Sequence, residues 1–361
     1  LRPAFPLGQL PSGEQFYLRL STEPNGKGCS GIPTASVNGA VKYLNYLLKS
    51  VCCWIMEYIE LRNEVIKAGL LDRQYGYYAF KALFNFALLA LSIFILATVD
   101  SFALQLLNAV FLAFVFVQFC FIMHDAVHNG IFKDDRKNRF VGIITGSLIL
   151  NISSSSWAYT HNMHHSAPNS VGHDPDIEMP VLAFSEEQAL EKKGLARLMV
   201  KYQAYLWFPI IFLVPGFSIP IGTAKMLASN ILSRKWKSYI GEGVFHVAGI
   251  ALYCGVLVGF LGWWKAGVFA VVHHLLAGLY MGSTFATNHK AMPLVKEKLD
   301  FLRAQVLTSR NVKSNPLTDL WCGGLNYQIE HHLFPTMPRN NFGKAQKIIR
   351  PYCQKIGIKY Y

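Results

Sequence analysis

Four long apolar runs organise this 361-residue chain. Residues 82–99 are uncharged over 18 positions, and residues 102–123 over 22. Residues 243–264 carry one basic side chain, the neutralisable His246, and residues 266–288 carry His273 and His274. A membrane crossing needs roughly 20 mostly apolar residues, so each run predicts a spanning helix. Only Asp100 and Ser101 separate the first pair, and only Lys265 the second, so the spans pair into two tight hairpins. A fifth run, 204–224, is uncharged but holds Pro209, Pro215 and Pro220. Each proline removes a backbone donor and kinks a helix, which predicts a re-entrant or interfacial segment. A sixth, 141–151, would extend only about 16 Å as a helix, too short to cross.

The pattern before these runs is different. Residues 1–40 are rich in Pro, Gly and Ser without a helical period, and predict a poorly ordered arm. Residues 41–81 form a juxtamembrane region whose amphipathic stretch, Leu44 to Leu71, is expected to lie along the membrane surface. Residues 82–361 then make one membrane domain. The fold class is an all-α integral membrane protein, with two hairpins and a helical cap on one face.

Basic residues orient the hairpins. Arg62, Lys67, Arg73 and Lys81 precede the first, and Lys133, Arg136, Lys137 and Arg139 follow it. Lys225, Arg234, Lys235 and Lys237 precede the second; Lys290, Lys296 and Lys298 follow it. The hairpin tips hold a single lysine. The positive-inside rule therefore puts both ends of both hairpins in the cytoplasm.

Composition fits this picture. The chain is 52% hydrophobic and 15% charged, where soluble proteins carry roughly 25% charged residues. Its net charge of +13 suits loops that meet anionic headgroups. No nucleic-acid-binding motif is present, so no nucleic-acid partner is expected. The seven cysteines form no CxxC pair and read as reduced thiols.

The chemistry lies in the histidines. All twelve fall at or after position 124, and three groups stand out: "HDAVH" (His124, His128), "HNMHH" (His161, His164, His165) and "QIEHH" (Gln328, His331, His332). His289 follows the last span directly. Spacings of three and four bring side chains to one helix face, and each group sits near a cytoplasmic end. Eight histidines are too many for one ion. Imidazole-rich sites suit zinc, copper, iron or nickel; two ions sharing so many imidazoles and few carboxylates point to iron and oxygen chemistry. A histidine-lined transporter would place its ligands near mid-membrane instead. His173 lies outside the pattern, and His273 and His274 are about 22 Å along a helix from His289.

These groups resemble the membrane fatty acid desaturases, a family marked by HxxxH, HxxHH and HxxHH boxes. The resemblance runs from Leu71 to Ile358 and includes "GHDPDIE" and "GGLNYQIEHHLFPTMPR". Glutamine at the head of the third box is similar to the front-end subgroup, which inserts a cis double bond between an existing one and the carboxyl end. Sphingolipid long-chain-base desaturases share that glutamine, and a lipid hydroxylase on the same scaffold is the neighbouring alternative. The resemblance implies a dioxygen-dependent oxidoreductase of unsaturated fatty acid biosynthesis, with two irons. It implies His124, His128, His161, His164, His165, His289, His331 and His332 as ligands, with Gln328 a ligand or the holder of a bound water. Asp125, Asn288, Asp174, Asp176 and Glu330 are the candidates to hydrogen-bond the ligands from behind.

The implied setting is the endoplasmic reticulum membrane, with the site facing the cytosol and an acyl-CoA or acyl-lipid substrate. Front-end desaturases commonly carry a fused cytochrome b5 domain. This chain has no histidine before His124 and no HPGG sequence, so no haem site is expected within it. Either such a domain precedes Leu1, or a separate cytochrome b5-type carrier and its reductase deliver electrons. Lys133, Arg136, Lys137 and Arg339 are the candidates to dock an acidic donor.

Overall fold

The computed structural model describes residues 54–213, 219–230 and 236–361, apart from Lys298. The expected N-terminal arm and the start of the amphipathic stretch lie outside the described residues. Within them every regular element is helical, with one isolated bridge between Ser170 and Val295.

Four helices are long and apolar enough to cross a membrane. They are α2 (Tyr75–Thr98), α3 (Phe102–Val127), α10 (Trp236–Leu261, apolar from Tyr239) and α11 (Trp263–His289). Three begin before the predicted windows, because a helix tolerates a flanking Lys81 that a search for uncharged residues rejects. The second turn also differs: α10 ends at Leu261, and Gly262 at φ +71° makes the corner. Lys265, expected at the tip, lies inside α11 with its ammonium over the Phe102 and Trp264 rings.

Helix α3 is central, packed against α2, α11 and a π-helix, Ile143–Leu150. From Phe111 to Val127 none of its residues is exposed, while α2 and α10 show Phe80, Leu83, Phe94, Val244, Val247 and Leu252 outward. Such a continuous apolar exterior suits lipid, not water. The α2–α3 hairpin is locked by buried amides. Asn108 Nδ2 donates to the Ser92 carbonyl (3.0 Å), and Ser92 Oγ donates to Asn108 Oδ1 (2.8 Å).

The two doubtful runs are short helices. Residues 203–230 hold α8 (Gln203–Leu213) and α9 (Ile219–Asn230), each about 16–18 Å long. The 141–151 run is the π-helix. It continues α4 (Asp135–Gly142), then bends by 109° into α5 (Ser154–Ser166).

The cap is built on a second apolar cluster. It joins α12 (Phe301–Leu307), α14 (Gln328–Leu333), α15 (Phe342–Lys355) and the helix at 54–67, here α1. Tyr58, Leu61 and Val65 of α1 are buried there, and Tyr58 Oη donates to the Leu333 carbonyl at 3.2 Å. One apolar face of α1 thus packs into the cap, while Trp54, Met56 and Ile66 stay exposed.

Candidate metal centre

The three boxes converge where α3 ends. His124 stands in the last turn of α3 and His128 caps it. His161, His164 and His165 occupy the last two turns of α5; His331 and His332 sit in α14, and His289 is the last residue of α11. All these except His161 are buried, and His161 is half-buried.

The eight histidines fall into two groups, each with its candidate ligand nitrogens within 4.8 Å of one another. One holds His124, His128, His161, His165 and His331; the other holds His164, His289 and His332. Helix geometry explains the split. Adjacent His164 and His165 project about 100° apart around α5, so one helix serves both groups, with His161 beside His165. Adjacent His331 and His332 diverge likewise. Gln328 is four before His332, and so falls beside the three-histidine group. Its Nε2 lies 2.9 Å from His289 Nε2.

The orientation of Gln328 follows from its neighbours. Asn288 Nδ2 donates toward the Thr284 carbonyl (3.2 Å), the Leu325 carbonyl (3.0 Å) and Gln328 Oε1 (3.0 Å). The two N–H bonds of the Asn288 amide are shared among these three oxygens, Gln328 Oε1 is one of them, and the Gln328 NH₂ turns toward His289. His289 Nδ1 donates to the Thr308 carbonyl (3.1 Å), which leaves its Nε2 lone pair inward. Gln328 thus presents its amide NH₂ to the group.

Other partners hold the rings from behind. Asp174, fully buried, accepts from His164 Nδ1 (2.9 Å) and from the Asn169 amide (2.7 Å). Asp176 lies 3.6 Å from the same His164 nitrogen. Asp125 Oδ1 is 3.2 Å from His124 Nδ1, and its Oδ2 is 3.0 Å from Arg339 Nε. Two corrections follow. Glu330 accepts from Asn311 (2.6 Å) and Tyr360, tying down the C-terminal residues instead of a histidine. His331 beside it enters the cluster, while the Glu330 side chain points out of it. Arg339, taken as a docking cation, is buried against Asp125 and the Tyr77 and Phe121 rings. Sequence reasoning missed Gln305, whose Oε1 accepts from His332 Nδ1 (2.8 Å) while its Nε2 donates to the His165 carbonyl (2.9 Å). It missed Thr308 as well; neither residue lies at a telling spacing. His173 is exposed, and His273 is bonded to Tyr253 inside the bundle (2.7 Å); both lie outside the groups.

The electrostatics favour neutral ligands. Burial, then the neighbouring imidazoles, hold His128, His161, His165, His331 and His332 well below the ordinary histidine value of 6.5. His164 is the exception: burial lowers its pKa, but the Asp174 bond and the Asp176 charge outweigh burial and raise it. The inward nitrogens crowd one another. His165 Nε2 lies 3.1 Å from both His161 Nε2 and His331 Nε2, and His128 Nε2 and His332 Nε2 have no hydrogen-bond partner. Buried lone pairs do not converge without something to bind. These donors, nearly all imidazole, fit two divalent transition-metal ions, and a di-iron centre among them.

Comparison with known proteins agrees. The fatty acid desaturase family model matches residues 100–361. An acyl-lipid (9-3)-desaturase of Physcomitrium patens is 32% identical over 320 residues, covering 85% of this chain and 59% of the relative. A Delta(8)-fatty-acid desaturase of Euglena gracilis is 28% identical, covering 84% of this chain and 74% of the relative. A Delta(5) fatty acid desaturase of Caenorhabditis elegans is 25% identical, covering 84% and 70%. The chain therefore spans about three fifths to three quarters of the length of these relatives. With box spacing, glutamine and fold in agreement, the chain belongs to the membrane fatty acid desaturase family, in its front-end subgroup.

Proposed function

We propose that this chain is the catalytic unit of a front-end fatty acyl desaturase. It introduces a cis double bond on the carboxyl side of an existing one, using dioxygen and two electrons. The observation that carries this reading is the five-and-three division of the histidines, with Gln328 beside the smaller group. His124, His128, His161, His165 and His331 would hold one iron; His164, His289 and His332 would hold the other. Bound iron supplies the oxidising power to remove hydrogen from an unactivated methylene, and imidazole resists that oxidation where a thiolate would not. Asp174, Asp125, Gln305 and the Thr308 carbonyl fix the rings, so each ligand keeps its tautomer and aim. Asn288 holds Gln328 as a hydrogen-bond donor to a group on the three-histidine side.

Access for the acyl chain fits a groove of about 500 Å³ lined by Phe114, Thr287, Leu317, Leu320 and Trp321. Thr287 of the groove donates to Oδ1 of Asn288 (3.3 Å), the residue that holds Gln328. The groove suits a lipid substrate, as acyl-CoA or acyl-lipid, drawn from the bilayer.

The topological reading completes the proposal. Residues 82–361 form the membrane domain, with four spans arranged as two hairpins and the 204–224 region re-entrant or interfacial. The cap and the centre face the cytosol at the endoplasmic reticulum. Electrons come from a cytochrome b5-type carrier and its reductase. Exposed Lys133, Arg136 and Lys137 remain the candidates to dock it.

The test is expression in a host lacking polyunsaturated acids, with carrier, reductase and iron supplied and precursors of varied chain length and unsaturation fed. New double bonds on the carboxyl side are expected. Desaturated long-chain bases or hydroxylated lipids would move the reading to those neighbouring enzymes, and no new product would refute it.

A further inference from the structure

Glu242 is a carboxylate in an unusual place. It lies near the start of α10, a membrane-spanning helix, and is 1% exposed. Its Oε1 accepts four hydrogen bonds: from Ser153 Oγ (2.8 Å), Ser147 Oγ (3.0 Å), the Ser155 amide (3.1 Å) and Ser154 Oγ (3.2 Å). Its Oε2 has no hydrogen-bond partner.

These donors explain what the carboxylate holds. Ser153 is the N-cap of α5, Ser154 and Ser155 begin that helix, and Ser147 belongs to the π-helix. One oxygen thus ties α10 to both arms of the 109° bend. A carboxylate is well placed there, because a helix N-terminus carries unpaired amides and a partial positive charge. The bend is otherwise under constraint. Asn151 takes φ +56°. Two turns along α10, a Cβ on Gly249 would collide with the Leu148 carbonyl, so helix and π-turn meet backbone to backbone. Glu242 and Gly249 therefore grip the bend at two points.

Helix α5 carries His161 and His165 for the five-histidine group and His164 for the three-histidine group. Its start sets where all three rings lie. We propose that Glu242 is a positioning residue of the metal centre, acting through the serine-rich start of α5 to seat both histidine groups at once. The proposal rests on the metal-centre reading for its consequence, but the anchoring itself is testable without metal.

The experiment compares Glu242→Leu, Glu242→Gln and Asn108→Leu with the wild-type chain in detergent. Asn108→Leu removes a buried polar link of the distant α2–α3 hairpin, and so controls for general loss of packing. Two quantities are read: amide hydrogen exchange of residues 154–166 in the metal-free protein, and iron affinity by titration. Glu242→Leu is expected to speed exchange in that segment and to weaken iron binding about tenfold at both ions. Glu242→Gln keeps an acceptor for the serines, and should stay within about threefold of wild type. Asn108→Leu should change neither quantity. Wild-type exchange and affinity in Glu242→Leu would overturn the proposal, as would an equal effect from Asn108→Leu. If Glu242→Leu does not accumulate folded, the Ser153→Ala, Ser154→Ala double variant decides. The same changes at smaller size support the proposal, and unchanged exchange refutes it. Failure of wild-type protein to bind iron would sink the metal reading, while the exchange result would still judge the anchor.

Discussion

Gln328 and His161 head two triplets of the same spacing, yet their surroundings differ. His161 joins four other imidazoles, whereas Gln328 meets His289 with its amine, because Asn288 holds its oxygen. A Gln328→His variant would put an imidazole into a space already shaped for an amide, and displace the donor. Activity should fall about 10- to 100-fold, as small misplacements at a reacting centre do, with iron largely retained; product formation and bound iron, measured together, check this. Asp174→Asn removes the anionic acceptor behind His164, and should weaken iron binding about 10- to 100-fold. Titrating metal-free protein with ferrous iron would show it. Arg339→Leu strands the Asp125 carboxylate in the interior, at a cost of about 3–5 kcal/mol. Its unfolding midpoint in detergent should drop, and Arg339→Leu with Asp125→Asn should recover part of the loss. These residues were unevenly legible. The boxes announce themselves by spacing. Arg339 and Gln305 do not, since their partners are distant in sequence and only the fold brings them near. Glu330 misled through adjacency: beside a ligand in sequence, it faces away from the centre.

At the scale of elements, hydrophobic runs gave the four spans well, because lipid-facing and core-facing residues are alike apolar. They gave the ends poorly, because a helix runs past its first charge and Gly262, not Lys265, turns the second hairpin. The amphipathic α1 was legible as a helix but not in its partner: an apolar face does not say whether lipid or protein covers it. The π-helix and its bend were visible only as a run too short to cross, and Glu242 fell just outside the run chosen for its helix. The box helices also set the pH response. Five histidines have folded pKa values well below 6.5, the value they approach on unfolding. Below 6.5 the unfolded chain takes up protons that the folded chain refuses, so stability is full above that pH and declines as pH falls. His164, with its raised pKa, and Glu330, pushed up to about 7 by burial, oppose this. Acidification from about pH 7.5 to about pH 5.5 should therefore lower the unfolding midpoint of the metal-free protein and release iron from the loaded one. A scan of both against pH checks the sign.

Across the described residues, a bundle of apolar helices supports a cap with its own apolar core, and eight histidines gather where the two meet. Sequence order gave the boxes and their common face; the division into five and three needed the fold, because adjacent residues such as His331 and His332 serve different groups. The central claim is that these eight histidines hold two irons. It is tested most directly by metal analysis of purified wild-type and His289→Ala protein. The account predicts two irons per chain in the wild type and one in the variant, the iron of the five-histidine group being kept. A single zinc in the wild type, or loss of all iron from His289→Ala, would contradict it.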